Sequence, residues 1–358
     1  MRSIISTTIT GIFISSSLVS AAPLEQRSSV ERFSLDNGFP TPSPEAVKQI
    51  QREALGTLSN AKPPGSVSAE GLTNLKLVCF NEIWETFYFD ELIKNITNNV
   101  PGYDNVPNRD FVLETLEHVK AQEQLHALNA CNGVKNFGGT PIQACAYDAP
   151  VSSFEEAISF ASTFTTLVMG TLQDAIFQFA KHGDAPLTRG TASSLGQEGE
   201  QDGWYRLLQK KTPSQLPFLT TSIRDFAFSA IQQFIVGECD AVAQIPLKTF
   251  KPLRVLTTAE DRTMELKFSF PIASDATLND IGHLSLAYIN QQNVPIVEEI
   301  THATRVGDSI EFKATFPYEE NLMNGLTIAA VVQGAGELAN AQAVADKTLY
   351  GPGLIVVN

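Results

Sequence analysis

The chain contains 358 residues, of which 43% are hydrophobic and 18% are charged. This composition is typical of a globular protein with room for two hydrophobic cores. The formal net charge is −14 at pH 7, and no basic segment stands out. We therefore do not expect nucleic acid or an anionic membrane surface as a partner, because both bind basic surfaces.

The first 21 residues have the pattern of a secretory signal peptide. Arg2 provides a positive charge, a largely apolar run extends from Ile4 to Val19, and small residues precede Ala22. This run is too short to span a membrane, and no other stretch of the sequence is long and apolar enough. The sequence thus predicts a secreted protein without a membrane span.

Six helices are predicted before residue 244. The leader, residues 22–65, contains a short helix that starts at Ser43-Pro44-Glu45. Apolar residues at steps of three and four then predict four long helices and a further, shorter one. These cover approximately residues 68–97, 108–132, 152–181, 188–210 and 222–236. Together they form a predicted helical domain over residues 66–243, and a proline-containing linker follows at 244–253.

From residue 254 the apolar residues alternate with polar ones, which is typical of strands. The predicted strands cover residues 264–270, 283–290, 294–304, 310–316, 326–333 and 354–357. Several short strands separated by turn residues favour a small antiparallel β-sandwich over residues 254–358. The fold class predicted for the whole chain is mainly α, with helices first and the sandwich second.

The cysteines and a glycosylation sequence also indicate an extracellular protein. Cys79, Cys131, Cys145 and Cys239 fit an oxidising compartment. Four cysteines allow three pairings, and the sequence does not choose among them. The glycine-rich loop between Cys131 and Cys145 favours that pair, which would leave Cys79 with Cys239. Asn95-Ile96-Thr97 is an N-glycosylation sequon at the end of its predicted helix.

Acidic residues interrupt the apolar stripes of three predicted helices. Glu123 and His126 lie three residues apart on the stripe that also contains Leu116 and Val119. A Glu-x-x-His pair on an inward helical face is how helical proteins offer ligands to a metal. The second predicted helix carries Glu82 and Glu85 on its stripe, and the fifth carries Glu198 and Gln201. These acids are the main clue to function.

These segments resemble the ferritin-like domain of secreted fungal proteins described as stress-response or late-sexual-development proteins. The resemblance covers approximately residues 66–240. It is carried by Asn81-Glu82-Ile83-Trp84-Glu85 with Phe87-Tyr88-Phe89, by Glu123-x-x-His126, and by the segment from Gln197 to Arg206. It implies a ferritin-like four-helix bundle with an extra helix, followed by the β-sandwich.

The resemblance also implies a metal site. The residues that match ligands of di-iron members are Glu82, Glu123, His126 and Glu198. Gln201 stands where a second histidine is expected, and no glutamate is evident on the helix over 152–181, where Asp174 is the nearest acid. A complete di-iron centre is therefore not expected. A single Fe, Mn or Zn ion fits these ligands. The same acids also fit a metal-free polar core, protonated or hydrogen-bonded to Tyr88, Gln201 or Tyr205.

Two functions follow as expectations. The first is a non-catalytic fungal protein of the cell surface, cell wall or extracellular space, linked to stress response or sexual development. In this hypothesis the metal site is degenerate and the partner is a cell-wall component or another protein. The alternative is a metal-binding, oxidase-type protein. No nucleophile elbow, phosphate-binding loop or dinucleotide motif is present. The sequence leaves open the metal, the substrate or partner, the oligomeric state and the role of the C-terminal strands.

Overall fold

Nine helices and eight strands are formed by the residues that the computed structural model describes, 31–273 and 281–358. The predicted signal peptide lies outside the described residues. Within the described part of the chain, no helix is long and apolar enough to cross a membrane.

The six longer helices lie where the sequence predicts them. They are α1 (Pro44–Glu53), α2 (Ala69–Thr97), α3 (Arg109–Asn136), α4 (Phe154–Lys181), α5 (Ala185–Leu208) and α6 (Arg224–Gln232). Serine side chains accept hydrogen bonds from the first turns of α1, α2 and α4, which fixes where these helices begin. Three short helices were not predicted, because a helix of one or two turns has too few residues to show a period. They are α7 (Asp240–Ala243), α8 (Tyr318–Asn321) and α9 (Ala341–Lys347).

Helices α2 and α3 run antiparallel and pack along much of their length. Cys79 is bonded to Cys131, and Glu82 lies near His126. Residue numbers therefore increase along α2 as those of the facing residues of α3 decrease. α4 packs against α2 and α5. Trp84 lies at the centre of this packing and stacks on Phe234 with ring centroids 4.6 Å apart.

The strands form two four-stranded antiparallel sheets. The first has the order β1-β2-β6-β5, from β1 (Arg254–Val255), β2 (Met264–Pro271), β6 (Ser309–Phe316) and β5 (Thr301–Val306). The second has the order β4-β3-β7-β8, from β4 (Ile296–Glu299), β3 (Leu284–Asn290), β7 (Gly325–Gln333) and β8 (Thr348–Val357). The single strand predicted over 294–304 is wrong, because this segment forms two strands, β4 and β5, that belong to different sheets.

The second sheet is buried on both faces. Tyr288 and Val331 belong to the core between the two sheets, where Phe268 stacks on Phe312. Neighbouring strand residues such as Ile328 belong instead to the core formed with the helices. Because successive side chains of a strand point to opposite faces, β3 and β7 contribute to both cores.

The predicted fold class, a mainly α protein with a ferritin-like four-helix bundle, an extra helix and a small β-sandwich, is wrong. The described residues form nine helices together with two four-stranded sheets, which is a mixed α and β fold with the sheets in the C-terminal part. The alternating pattern of the C-terminal residues predicts a small separate sandwich of strands. In the structure their apolar residues also complete the helical core, and residues 32–358 form one compact unit.

The disulfide pairing that the loop favoured is also wrong. The bonds are Cys79–Cys131 and Cys145–Cys239, with Cα–Cα distances of 5.0 Å and 5.4 Å. The antiparallel packing of α2 and α3 brings Cys79 opposite Cys131, and this juxtaposition is not visible in the spacing along the chain. Two disulfides and the absence of a membrane-spanning helix from the described residues are compatible with an extracellular protein.

Candidate metal centre

Four side chains from three helices converge in the helical core. They are Glu82 of α2, Glu123 and His126 of α3, and Glu198 of α5. One ligand atom from each lies within 4.8 Å of the others. These are the four residues that the sequence and the resemblance named, so the structure brings the whole predicted set together. That they bind a metal stays a prediction.

The helices explain this convergence. Glu123 and His126 are three residues apart, so both project from the same face of α3. The antiparallel packing of α2 places Glu82 opposite them, and the Cys79–Cys131 bond joins the two helices beside the site.

His126 is surrounded by the three carboxylates. Its Nδ1 atom lies 3.0 Å from Glu123 Oε2, 3.4 Å from Glu198 Oε1 and 3.6 Å from Glu82 Oε2. The side chains of the three glutamates are at most 2% exposed, whereas the His126 side chain is 16% exposed. The imidazole therefore lies between the buried acids and the solvent.

Several carboxylate oxygens of the site have no hydrogen bond. Both oxygens of Glu198 and the Oε2 atom of Glu82 are buried and receive no hydrogen bond from the described residues. A buried carboxylate without a donor is unfavourable by several kcal/mol unless it is protonated or meets a cation. These oxygens are thus the atoms of the site that are free to bind an ion.

Burial and mutual repulsion shift the protonation of this group. Burial raises the pKa of Glu82 to about 7 and, together with the charge of Glu123, raises the pKa of Glu198 to about 8. Burial alone lowers the pKa of His126, but its three carboxylate partners outweigh this effect and hold the pKa well above the ordinary value. Without a metal, the group therefore retains protons near neutral pH.

Glu85 belongs to the same electrostatic group, although the sequence analysis did not place it among the ligands. It is buried and accepts a hydrogen bond from Asn81 at 2.6 Å. Burial, followed by the charge of Glu198, raises the pKa of Glu85 well above its ordinary value. In the sequence, the one sign that Glu85 would lie near the other acids is its position on the same helical stripe as Glu82.

Gln201 is hydrogen-bonded to one of the four candidate residues and does not belong to the cluster. Its Nε2 donates to Glu123 Oε1 at 2.7 Å, and the hydroxyl of Tyr205 donates to Gln201 Oε1 at 3.2 Å. The amide oxygen, the only atom of Gln201 that could bind a cation, is thereby directed to Tyr205. The chain Tyr205–Gln201–Glu123 fixes one carboxylate oxygen and leaves the other for His126 or an ion.

Helix α4 contributes no member of the cluster among the described residues. Asp174, the nearest acid by sequence, instead accepts from the backbone N–H of Arg224 at 3.1 Å and lies 3.4 Å from its Nε atom. Tyr88, considered as a partner for the acids, donates to the carbonyl oxygen of Ala157.

The site defines a carboxylate-rich candidate metal centre with one histidine, in a protein of mixed helix and sheet structure. No family model matches the chain, and no curated protein matches it either. The resemblance to the fungal ferritin-like proteins therefore stays a prediction.

Proposed function

We propose that this is an extracellular protein that binds one divalent metal ion through Glu82, Glu123, His126 and Glu198. The observation that carries the proposal is the group of three buried carboxylates around one imidazole, with oxygens of Glu82 and Glu198 that receive no hydrogen bond from the described residues. A cation offsets the repulsion among these acids and binds the free oxygens at the same time.

The donor set fits an ion of the first transition row. Carboxylate and imidazole ligands suit Fe, Mn and Zn, with bonds of about 2.0–2.2 Å. Two ligands of one ion are then at most about 4.4 Å apart. The ligand atoms of the site lie within 4.8 Å of one another, so a closing movement of a few tenths of an ångström brings them to bonding distance. With only four protein ligands, a single ion is the stoichiometry to expect.

The resemblance adds a biological setting to the proposal. A secreted fungal protein linked to stress response or sexual development would hold this ion at the cell surface, in the cell wall or outside the cell. We do not assign a catalytic step, since nothing in the site identifies a substrate.

A metal-free polar core is the second candidate. It is supported by the 3.0 Å contact between His126 Nδ1 and Glu123, which is short enough for a charged hydrogen bond. In that case the protonated imidazole of His126 takes the place of the metal ion, and the buried acids serve only to specify how the helices pack.

Metal content distinguishes the two candidates. The mature chain is secreted from a eukaryotic host, offered Fe, Mn and Zn in turn, dialysed, and assayed by mass spectrometry. We expect about one equivalent of one metal in the wild type, and at least tenfold less in His126→Ala and Glu198→Gln, because each loses one ligand of four. Exposed residues give matched controls: His182→Ala and Glu200→Gln should retain the metal.

Less than about a tenth of an equivalent in the wild type, with every metal offered, would exclude the metal proposal and favour the polar core. Equal metal in the wild type and in both ligand variants would place the ion elsewhere.

A further inference from the structure

A cavity lies beside the C-terminal end of α2, and none of the four candidate metal ligands lines it. It measures about 420 Å³, which is within the range of ligand-binding pockets. The residues that line it include Phe87, Tyr88, Glu91, Asn95, Tyr103 and Tyr147. None of the described residues that line it is a lysine or an arginine, so an anionic ligand is disfavoured.

Asn95, the asparagine of the glycosylation sequon, is itself part of the wall of this pocket. Tyr88, Glu91 and Asn95 follow one another at steps of three and four along α2, so their side chains share one helical face. Asn95 is only partly buried, and Thr97 of the sequon is exposed. A sugar attached to the Asn95 amide therefore starts at the edge of the pocket.

The pocket offers the contacts that an uncharged sugar uses. The hydroxyl of Tyr147 is buried with the Cys145 backbone as a polar neighbour and makes no side-chain hydrogen bond with the described residues. The carboxylate of Glu91 supplies an acceptor. The rings of Phe87 and Tyr147 pack together with centroids 5.3 Å apart and contribute to the wall. A sugar can donate to the carboxylate, bond the phenolic hydroxyl and cover the rings with its C–H groups.

We propose that Asn95 carries an N-linked glycan and that its first sugar occupies this pocket, where it bonds the Tyr147 hydroxyl. The glycan is then a structural part of the folded protein. This inference does not depend on the metal site, and either can fail without the other.

The first test compares glycosylated and deglycosylated forms of the secreted protein. Mass spectrometry should find a glycan on Asn95, and none in Thr97→Ala, which leaves Asn95 unchanged. An endoglycosidase that leaves one sugar should preserve the melting temperature. Complete removal with an amidase, which leaves a carboxylate in place of the Asn95 amide, should lower it by about 2 °C or more. If Thr97→Ala is not secreted, the two enzymes still test the proposal on the wild-type protein.

The second test asks whether the sugar contacts Tyr147. Tyr147→Phe should lower the melting temperature of the glycosylated protein and have a smaller effect after complete deglycosylation, because the hydroxyl then has no sugar to bond. Tyr288→Phe is the matched control: its hydroxyl is also buried and without a hydrogen bond among the described residues, but it lies in the core between the sheets. Its effect should be the same in both forms.

Three results would overturn the proposal. These are an unmodified Asn95, equal melting temperatures of the one-sugar and the sugar-free protein, and an effect of Tyr147→Phe that is the same with and without the glycan.

Discussion

The stability of the metal-free protein should fall as the pH rises from about 5 to about 9. Burial raises the pKa of Glu82 from 4.5 to about 7 and that of Glu198 from 4.5 to about 8. The folded chain therefore keeps protons that the unfolded chain has released. Such groups contribute stability that is complete below pH 4.5 and is lost as the pH rises through their folded pKa values. For Glu82 alone, the difference between 4.5 and about 7 corresponds to about 3 kcal/mol of unfolding free energy.

The assay is urea unfolding of chelator-treated protein at about pH 5.5 and about pH 8.5. Glu82→Gln keeps the size of the side chain but cannot titrate, so its unfolding free energy should depend less on pH than that of the wild type. The exposed Glu200→Gln should retain the wild-type dependence. A metal-free wild type that is equally stable at both pH values, or more stable at the higher one, would refute the reasoning. Bound metal should stabilise more at high pH, because the ion displaces these protons.

Two further predictions concern the scaffold. Replacing Cys145 and Cys239 together by serine removes a disulfide between residues 94 positions apart, which restricts the unfolded chain. The free energy of unfolding, measured in urea, should fall by about 2–5 kcal/mol. An unchanged urea midpoint would show that this disulfide does not stabilise the fold. Gly170→Ala places a Cβ 2.5 Å from the carbonyl oxygen of Thr220 and should destabilise by about 1–3 kcal/mol, seen as a lower melting temperature. Gly190 is exposed on its helix and has open space around it, so Gly190→Ala should stabilise the protein by up to about 1 kcal/mol. Equal changes of the melting temperature in Gly170→Ala and Gly190→Ala would argue against close packing at Gly170.

Local sequence rules were sufficient for the long helices and for placing acids and His126 on inward helical faces, whereas the choice of the four site residues came from the resemblance. The serines before α1, α2 and α4 cap their helices. The spacing of apolar residues at steps of three and four places Glu82, Glu123 and His126 on inward helical faces. Convergence of these side chains then needs only that the faces pack against one another. For that reason a stripe interrupted by acids was an informative signal.

Features that depend on how distant segments meet could not be predicted. The Cys79–Cys131 bond requires the antiparallel register of α2 and α3, which the spacing of cysteines does not encode. The hydrogen bond from Gln201 to Glu123 joins two helices, so no periodicity announces it. The division of residues 294–304 between two sheets depends on which neighbour each half pairs with, and a run of strand-forming residues gives no sign of that choice.

The bond between Cys79 and Cys131 has a consequence for the order of assembly. It joins α2 and α3 three residues from Glu82 and five from His126. Formation of this disulfide fixes the spacing between Glu82 on α2 and the α3 pair Glu123 and His126. If the chain binds metal as we propose, the ion would meet these two helices already joined, so little conformational entropy would be lost on binding. Metal binding and release would then follow disulfide formation and leave the fold unchanged.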